Sequence, residues 1–234
     1  MSTHAPDLNG LLSKNALFRG ATDADVTDVA QMVQIQRFPP GQVIFHFGDT
    51  DDDVYFLLSG SVIGQLVAES GREIVFTEMR MATFFGEMAA LDGQARSVTV
   101  SAKEDVVVAR LKGAQFNALM TSQPRLAVNL AIELAQRVRA MNERMFGLVV
   151  HDVGTRVRLH LMRLAQEQGK LVDGATLDAV PTHEEIATFI GANREAVSRA
   201  ITRLNKAGLI EASRKSILIK NCDGLLDGLE MADS

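Results

Sequence analysis

Two groups of residues carry types and spacings suited to phosphate chemistry. The first is the run Phe85-Gly86-Glu87-Met88-Ala89-Ala90-Leu91-Asp92-Gly93-Gln94-Ala95-Arg96-Ser97, which interrupts strand-like sequence with a single helical turn. A glycine lets a ligand approach the backbone closely, and the free N–H groups and dipole of a helical turn suit an anion. Glu87 can accept from vicinal sugar hydroxyls, and Arg96 can pair with a phosphate. Together they describe a compact sugar-phosphate site. The same spacing also fits a Glu87–Arg96 ion pair bracing a loop.

The second group lies near the C-terminus. Thr182-His183-Glu184-Glu185 is a capping box, in which Thr182 caps and Glu185 returns the bond. It predicts a helix to about Ile190, stopped by Gly191, and a second helix from the cap Asn193 to Lys206, ended by Ala207-Gly208. Two helices joined by a short glycine-containing turn, the second one basic, form a helix-turn-helix. Ala187, Ile190, Val197, Ile201 and Leu204 supply its apolar contacts. The second helix would bring its N-terminal residues to a major groove. There Arg194 and Arg199 can each donate two bonds to guanine, and Glu195 can accept from a cytosine amino group. The competing reading, Glu195 pairing with Arg199 at i,i+4, is worth only about 0.2–0.5 kcal/mol.

These groups must be held by the elements around them. Residues 8–34 carry helix-like apolar spacing, with Asp23 and Asp25 as starts for a short second helix. From Arg37 to Arg110 short runs rich in Val, Ile, Phe and Thr are punctuated by glycines, which predicts antiparallel strands of a compact sandwich or barrel. Asp51-Asp52-Asp53 lacks the distal glutamate of a calcium loop and reads as a solvated turn. Beyond Gln123-Pro124 the period is helical to about Val150. Leu134, Val138, Met141, Met145 and Leu148 form a heptad seam with Val138 and Met145 at a; such a stripe packs either on the helix's own domain or, as its length after a β-domain favours, on a symmetric dimer partner. A further helix from about Asp152 to Gln168 precedes the helix-turn-helix, and a short strand pair ending in SILIKN follows it.

The 234 residues allow one or two domains with a sizeable core. One cysteine, Cys222, rules out an intrachain disulfide and any zinc or iron–sulfur centre needing several thiolates. No apolar run approaches the roughly 20 residues of a membrane span, and MSTHAPDLNG is not a signal peptide, so the expectation is a cytoplasmic protein with no membrane partner. The net charge of -5 hides a local balance of +5 over residues 191–220, carried by Arg194, Arg199, Arg203, Lys206, Arg214, Lys215 and Lys220 against Glu195 and Glu211. A basic island in an acidic chain is the charge distribution a DNA-reading subdomain needs.

The run FGEMAALDGQARSVTV resembles the phosphate-binding cassette of cyclic-nucleotide-binding domains, and Gly41, Gly48-Asp49 and Gly60 fall where that family has its strand-turn glycines. With the long helix and HEEIATFIGANREAVSRAITRLNKAGLI, the chain resembles the cyclic-AMP receptor branch of the Crp/Fnr transcriptional regulators from about residue 15 to 220. The resemblance implies an α+β fold. A β-roll (jelly-roll-like) cyclic-nucleotide domain with flanking helices would span residues 1–123, a dimerisation helix 124–150, and a winged helix-turn-helix 151–234.

It further implies that Gly86 and Glu87 hold the ribose 2′-hydroxyl, with Met88 beside them. Arg96 and Ser97 would hold the cyclic phosphate, and Thr77 would line the base. Arg194, Glu195 and Arg199 match the base readers of a palindromic TGTGA-like site, with Thr182 and Ser198 on the same DNA-facing surface. RNA polymerase is a partner expected from the family.

One departure concerns the ligand. Where the cyclic-AMP receptor has an adjacent Thr-Ser reaching the adenine amino group across the dimer, this chain has Met141-Asn142. Met141 offers a soft surface. The Asn142 amide both donates and accepts, so it serves adenine or guanine, and the Ser97 hydroxyl is compatible with either purine. The expected ligand is cAMP first and cGMP second, without a metal. No nucleophile–base pair or phosphate-transfer loop is present, so the expectation is a regulator and not an enzyme. A DNA-binding regulator of this fold that works without ligand is the alternative.

Overall fold

The computed structural model describes residues 7–67, 73–213 and 215–227; Arg214, counted in the basic island, lies outside them. In chain order the elements are α1 Leu8–Leu12, α2 Asp23–Met32, β1 Gln34–Phe38, β2 Val43–Phe45, β3 Val54–Ser59, β4 Ser61–Val67, β5 Glu73–Arg80, β6 Phe84–Phe85, α3 Glu87–Asp92, β7 Thr99–Ala102, β8 Val106–Leu111, α4 Gly113–Ser122 and α5 Pro124–Val150. They continue with α6 Val153–Glu167, β9 Thr176–Leu177, α7 His183–Ile190, α8 Arg194–Lys206, β10 Ile210–Ala212, β11 Ile217–Ile219 and α9 Cys222–Leu226. The chain divides into two compact units, Met1–Val138 and Arg139–Ser234, so α5 belongs to both.

The first unit is the expected β-roll. Two antiparallel four-stranded sheets, ordered β1-β8-β3-β6 and β2-β7-β4-β5, enclose Phe45, Tyr55, Leu57, Val62, Phe85, Val100 and Val108. β3 is buried on both faces. Tyr55 and Leu57 point into the roll, whereas Val54, Phe56 and Leu58 meet a second core of Leu12, Leu17, Val26, Val29, Phe116, Leu126 and Leu130 from the helices. Strand alternation thus explains why VYFLL reads as an unbroken apolar run.

Local details differ from the sequence reading. The second helix does start at Asp23, as expected, but its cap is Thr22, which exchanges bonds with Asp25. The helical stretch ends at Met32, and β1 pairs with β8 from Gln34 onward.

In the second unit α6, α7 and α8 pack around Val157, Leu161, Ile186, Ala187, Ile190, Val197, Ile201 and Leu204. The wing is a three-stranded sheet, β10-β11-β9, where the sequence suggested a pair. The added strand β9 is only Thr176–Leu177, too short to register as a periodic run. Asp152 caps α6 by accepting from the Thr155 N–H at 2.7 Å, as its position predicted.

Along α5 the exposed apolar residues are Val128, Ile132, Val138, Met141, Met145, Phe146, Leu148, Val149 and Val150. Leu134, placed in the seam by its spacing, is half-buried against the helix-facing core of the first unit. The early turns of α5 carry two apolar stripes, and Leu126, Leu130 and Leu134 form the inner one.

Candidate ligand pocket and nucleic-acid interface

Gly86 follows β6 with φ +85° and caps α3 without a side chain. A Cβ there would lie 2.7 Å from the Asp53 carbonyl oxygen and 2.8 Å from Arg96 Nη1, so only glycine fits both the backbone twist and the space. Arg96 is buried, and its guanidinium is held on several sides. Nη1 donates to Gly86 O at 2.8 Å, Nη2 donates to Asp53 O at 2.8 Å, and the Phe45 ring lies 4.2 Å from the guanidinium carbon. The remaining edge faces the Asp51 carboxylate: Nε reaches Oδ2 at 3.3 Å and Nη2 contacts Oδ1.

Two sequence readings need correction here. The Glu87–Arg96 pair does not form. Glu87 instead accepts from Arg137 Nη1 at 2.9 Å, while Arg137 Nη2 donates to Phe84 O at 2.6 Å and the guanidinium covers the Phe84 ring. Nor is Asp51-Asp52-Asp53 a solvated turn. Asp53 is buried and paired with Arg110, with Lys112 Nζ 3.6 Å away, and Asp51 turns to Arg96. Arg137 and Arg110 were missed because pairing partners distant in sequence leave no local pattern. The usable signal for Arg137 was that a buried glutamate requires a cation.

Of the other candidates, Ser97 is exposed and its Oγ lies 3.8 Å from Met88 Sδ. Thr77 is exposed on β5 opposite Gly64, whose missing Cβ leaves room for the Thr77 methyl. Met141 and Asn142 lie on the exposed part of α5 that belongs to the second unit. Among the described residues no cluster of His, Cys, Asp and Glu is placed to hold a metal ion, and no helix is long and apolar enough to cross a membrane.

The helix-turn-helix is built as its caps predict. Thr182 Oγ1 accepts from Glu185 N at 3.2 Å, and Glu185 Oε2 accepts from Thr182 N at 2.7 Å. Gly191 ends α7 at φ +66°, and Asn193 caps α8 through Ala196 N at 2.8 Å. The amphipathic α8 buries Val197, Ala200, Ile201 and Leu204 and presents Arg194, Glu195, Arg199, Arg203 and Lys206 outward, with Ser198 half-buried. Arg199 and Glu195 do pair, at 3.6 Å, but with side chains 61% and 86% exposed the pair contributes little and yields easily. A cavity of about 470 Å³ opens between the start of α7, the start of α8 and the wing, edged by Thr182, His183, Glu184, Arg194 and Ser213.

Residues 35–123 match the cyclic nucleotide-binding domain family, and residues 155–227 match the Crp-like helix-turn-helix domain family. The chain is 29% identical over 221 residues to the CRP-like cAMP-activated global transcriptional regulator of Mycobacterium tuberculosis, covering 93% of this chain and 98% of that protein. It is 27% identical over 186 residues to the cAMP-activated global transcriptional regulator CRP of Escherichia coli, covering 79% and 89%. The chain belongs to the Crp/Fnr family of transcriptional regulators.

This Crp/Fnr regulator also shares its fold with the c-di-GMP responsive global regulator CLP of Xanthomonas campestris, with a TM-score of 0.75 at 22% identity over 85% of this chain and 99% of that one. In chemical terms its first unit offers a buried guanidinium whose one carboxylate partner is partly exposed, next to a buried carboxylate. Its second offers a cationic helix surface that can enter a DNA groove.

Proposed function

We propose that this Crp/Fnr regulator binds a 3′,5′-cyclic purine nucleotide, cAMP in preference to cGMP, and as a homodimer reads a palindromic TGTGA-like DNA site to control transcription. Residues 1–123 would hold the ligand, 124–150 the dimer contact and 151–234 the DNA. RNA polymerase is the downstream partner. The observation that carries the reading is Arg96, a buried guanidinium fixed by two carbonyls and an aromatic face, with one edge turned to a half-exposed anion. Gly86 lets Arg96 and the Asp53 carbonyl close in on the backbone there, and Glu87 supplies an acceptor for sugar hydroxyls. The "cAMP-activated" names of the two relatives favour cAMP. Asn142, replacing a serine, keeps cGMP second.

Calorimetric titration with cAMP and cGMP, with and without a palindromic duplex, tests this. By linkage the duplex must tighten ligand binding by the same factor by which ligand tightens DNA binding, for which about 5–150-fold is usual. The second reading, ligand-independent DNA binding, is favoured by the same Asp51 carboxylate, which already satisfies Arg96. Absence of nucleotide binding together with full palindrome affinity would establish it.

A further inference from the structure

We propose that Asp51 is a built-in competitor for the phosphate-binding edge of Arg96 and sets the affinity of the ligand site. This rests on the reading of the pocket given above.

The guanidinium has two kinds of partner. Gly86 O, Asp53 O and the Phe45 face are parts of the scaffold and hold the side chain where it is. The Nε/Nη2 edge is different, because there the partner is a side chain, the partly exposed Asp51 carboxylate. Within the pair, the Arg96 side chain is 1% exposed and that of Asp51 42%. The fork of a guanidinium edge donates to two oxygens of one anion, and a carboxylate and the exocyclic oxygens of a cyclic phosphate both fit it. They cannot use it together, since two anions at that distance in a partly buried site repel strongly. Ligand entry is therefore an exchange of one anion for another. The buried cation keeps a counter-charge in both states, which avoids the large cost of burying it alone.

The loop does not depend on the Asp51 side chain for its position. Gly48 N donates to Arg96 O at 2.9 Å, and Arg96 N donates to Asp49 O at 2.8 Å, which pins the loop to residue 96 through the backbone. Asp49 also accepts from His46 N at 2.8 Å. Removing the Asp51 charge should thus leave an assembled site with an unoccupied edge. A scaffolding role predicts the opposite sign, because loss of a brace loosens the site and weakens the ligand.

The test is a cAMP titration of the full-length protein and of Asp51→Asn at one salt concentration. Tyr55 fluorescence serves as a label-free readout, since the chain has one tyrosine and no tryptophan and Tyr55 stacks on Phe85 beside Gly86. The expected result is a Kd lowered about tenfold in Asp51→Asn, the scale of one charge-assisted hydrogen bond. Binding by the variant with none by the wild type would support the proposal in its extreme form. Equal or weaker binding by a folded variant overturns it while leaving the pocket assignment standing. If neither protein binds cAMP, the pocket assignment falls and this proposal with it. Asp51→Ser is the second variant. Failure of both substitutions to fold would show the carboxylate to be scaffold and overturn the proposal.

Discussion

Replacing Arg137 by alanine removes the cation that faces Glu87. The Glu87 side chain is 4% exposed and that of Arg137 35%, so the glutamate keeps its burial after the arginine is gone. The cost is then the stranding of a buried carboxylate, about 1.5–3 kcal/mol, well above the 0–1 kcal/mol of an exposed pair. Loss of the bond to Phe84 O adds to it, since Phe84 is fully buried. For a domain of this size such a loss lowers Tm by roughly 4–10 °C. The sharper test is a double-mutant cycle with Glu87→Gln, which keeps the shape and removes the charge. In that background Arg137→Ala should cost about 1 kcal/mol or less, leaving a coupling of about 1–2 kcal/mol. Urea unfolding followed by Tyr55 fluorescence reports the unit concerned, because the only tyrosine lies inside the β-roll. An equal cost in both backgrounds would refute the reasoning and reduce Arg137 to a packing residue.

Gly86→Ala forces a Cβ against Asp53 O and Arg96 Nη1, so it should destabilise by about 1–3 kcal/mol and weaken cyclic-nucleotide binding, as calorimetry would show. Asp substitutions at Val138 and Met145, both exposed on α5, should give monomers in sedimentation, and an unchanged dimer would place the contact elsewhere. Arg199→Ala should cost about 1–3 kcal/mol of DNA binding and relax discrimination at one guanine, whereas uniform weakening on all sequences would make it a phosphate contact. The Asp152 carboxyl is held below the usual carboxylate value by the backbone N–H of Thr155. Its stabilising effect is therefore present above the ordinary carboxylate pKa and lost as pH falls through the lowered one. Asp152→Ala should cost about 1 kcal/mol at neutral pH, and the difference from wild type should shrink in acid.

The elements were legible wherever the signal was local. Caps at Thr182, Asn193 and Asp152, and the helix stop at Gly191, each involve residues within a turn or two, so the second unit could be read closely. The cassette stood out because its glycine and charges are sequence neighbours. Its partners did not: Asp51 is 45 residues from Arg96 and Arg137 is 50 from Glu87, separations that no periodicity encodes. The Asp51–Asp53 run misled because acidic clusters are usually solvated, whereas here two of the three carboxylates face arginines brought in by other strands and by the cassette. On α5 the spacing gave the helix and an outer stripe, but not the inner one. A helix packed on its own domain through Leu126, Leu130 and Leu134 and left apolar on the outside carries two overlapping patterns, and Leu134 fits both.

The two parts of α5 each pack within their own unit. Arg137 ties the helix to the cassette through Glu87 and Phe84 O. Seven residues further on, Arg144 donates to the Phe189 carbonyl and lies over the Phe189 ring, at the C-terminal end of α7. One turn beyond, Leu148 sits so close to Gly191 that a Cβ on the glycine would be 2.9 Å from its methyl, and Arg156 at the start of α6 donates to Ile190 O at 2.7 Å. Gly191 is the turn between α7 and the recognition helix α8, so the end of α5 grips the point that sets the direction of α8.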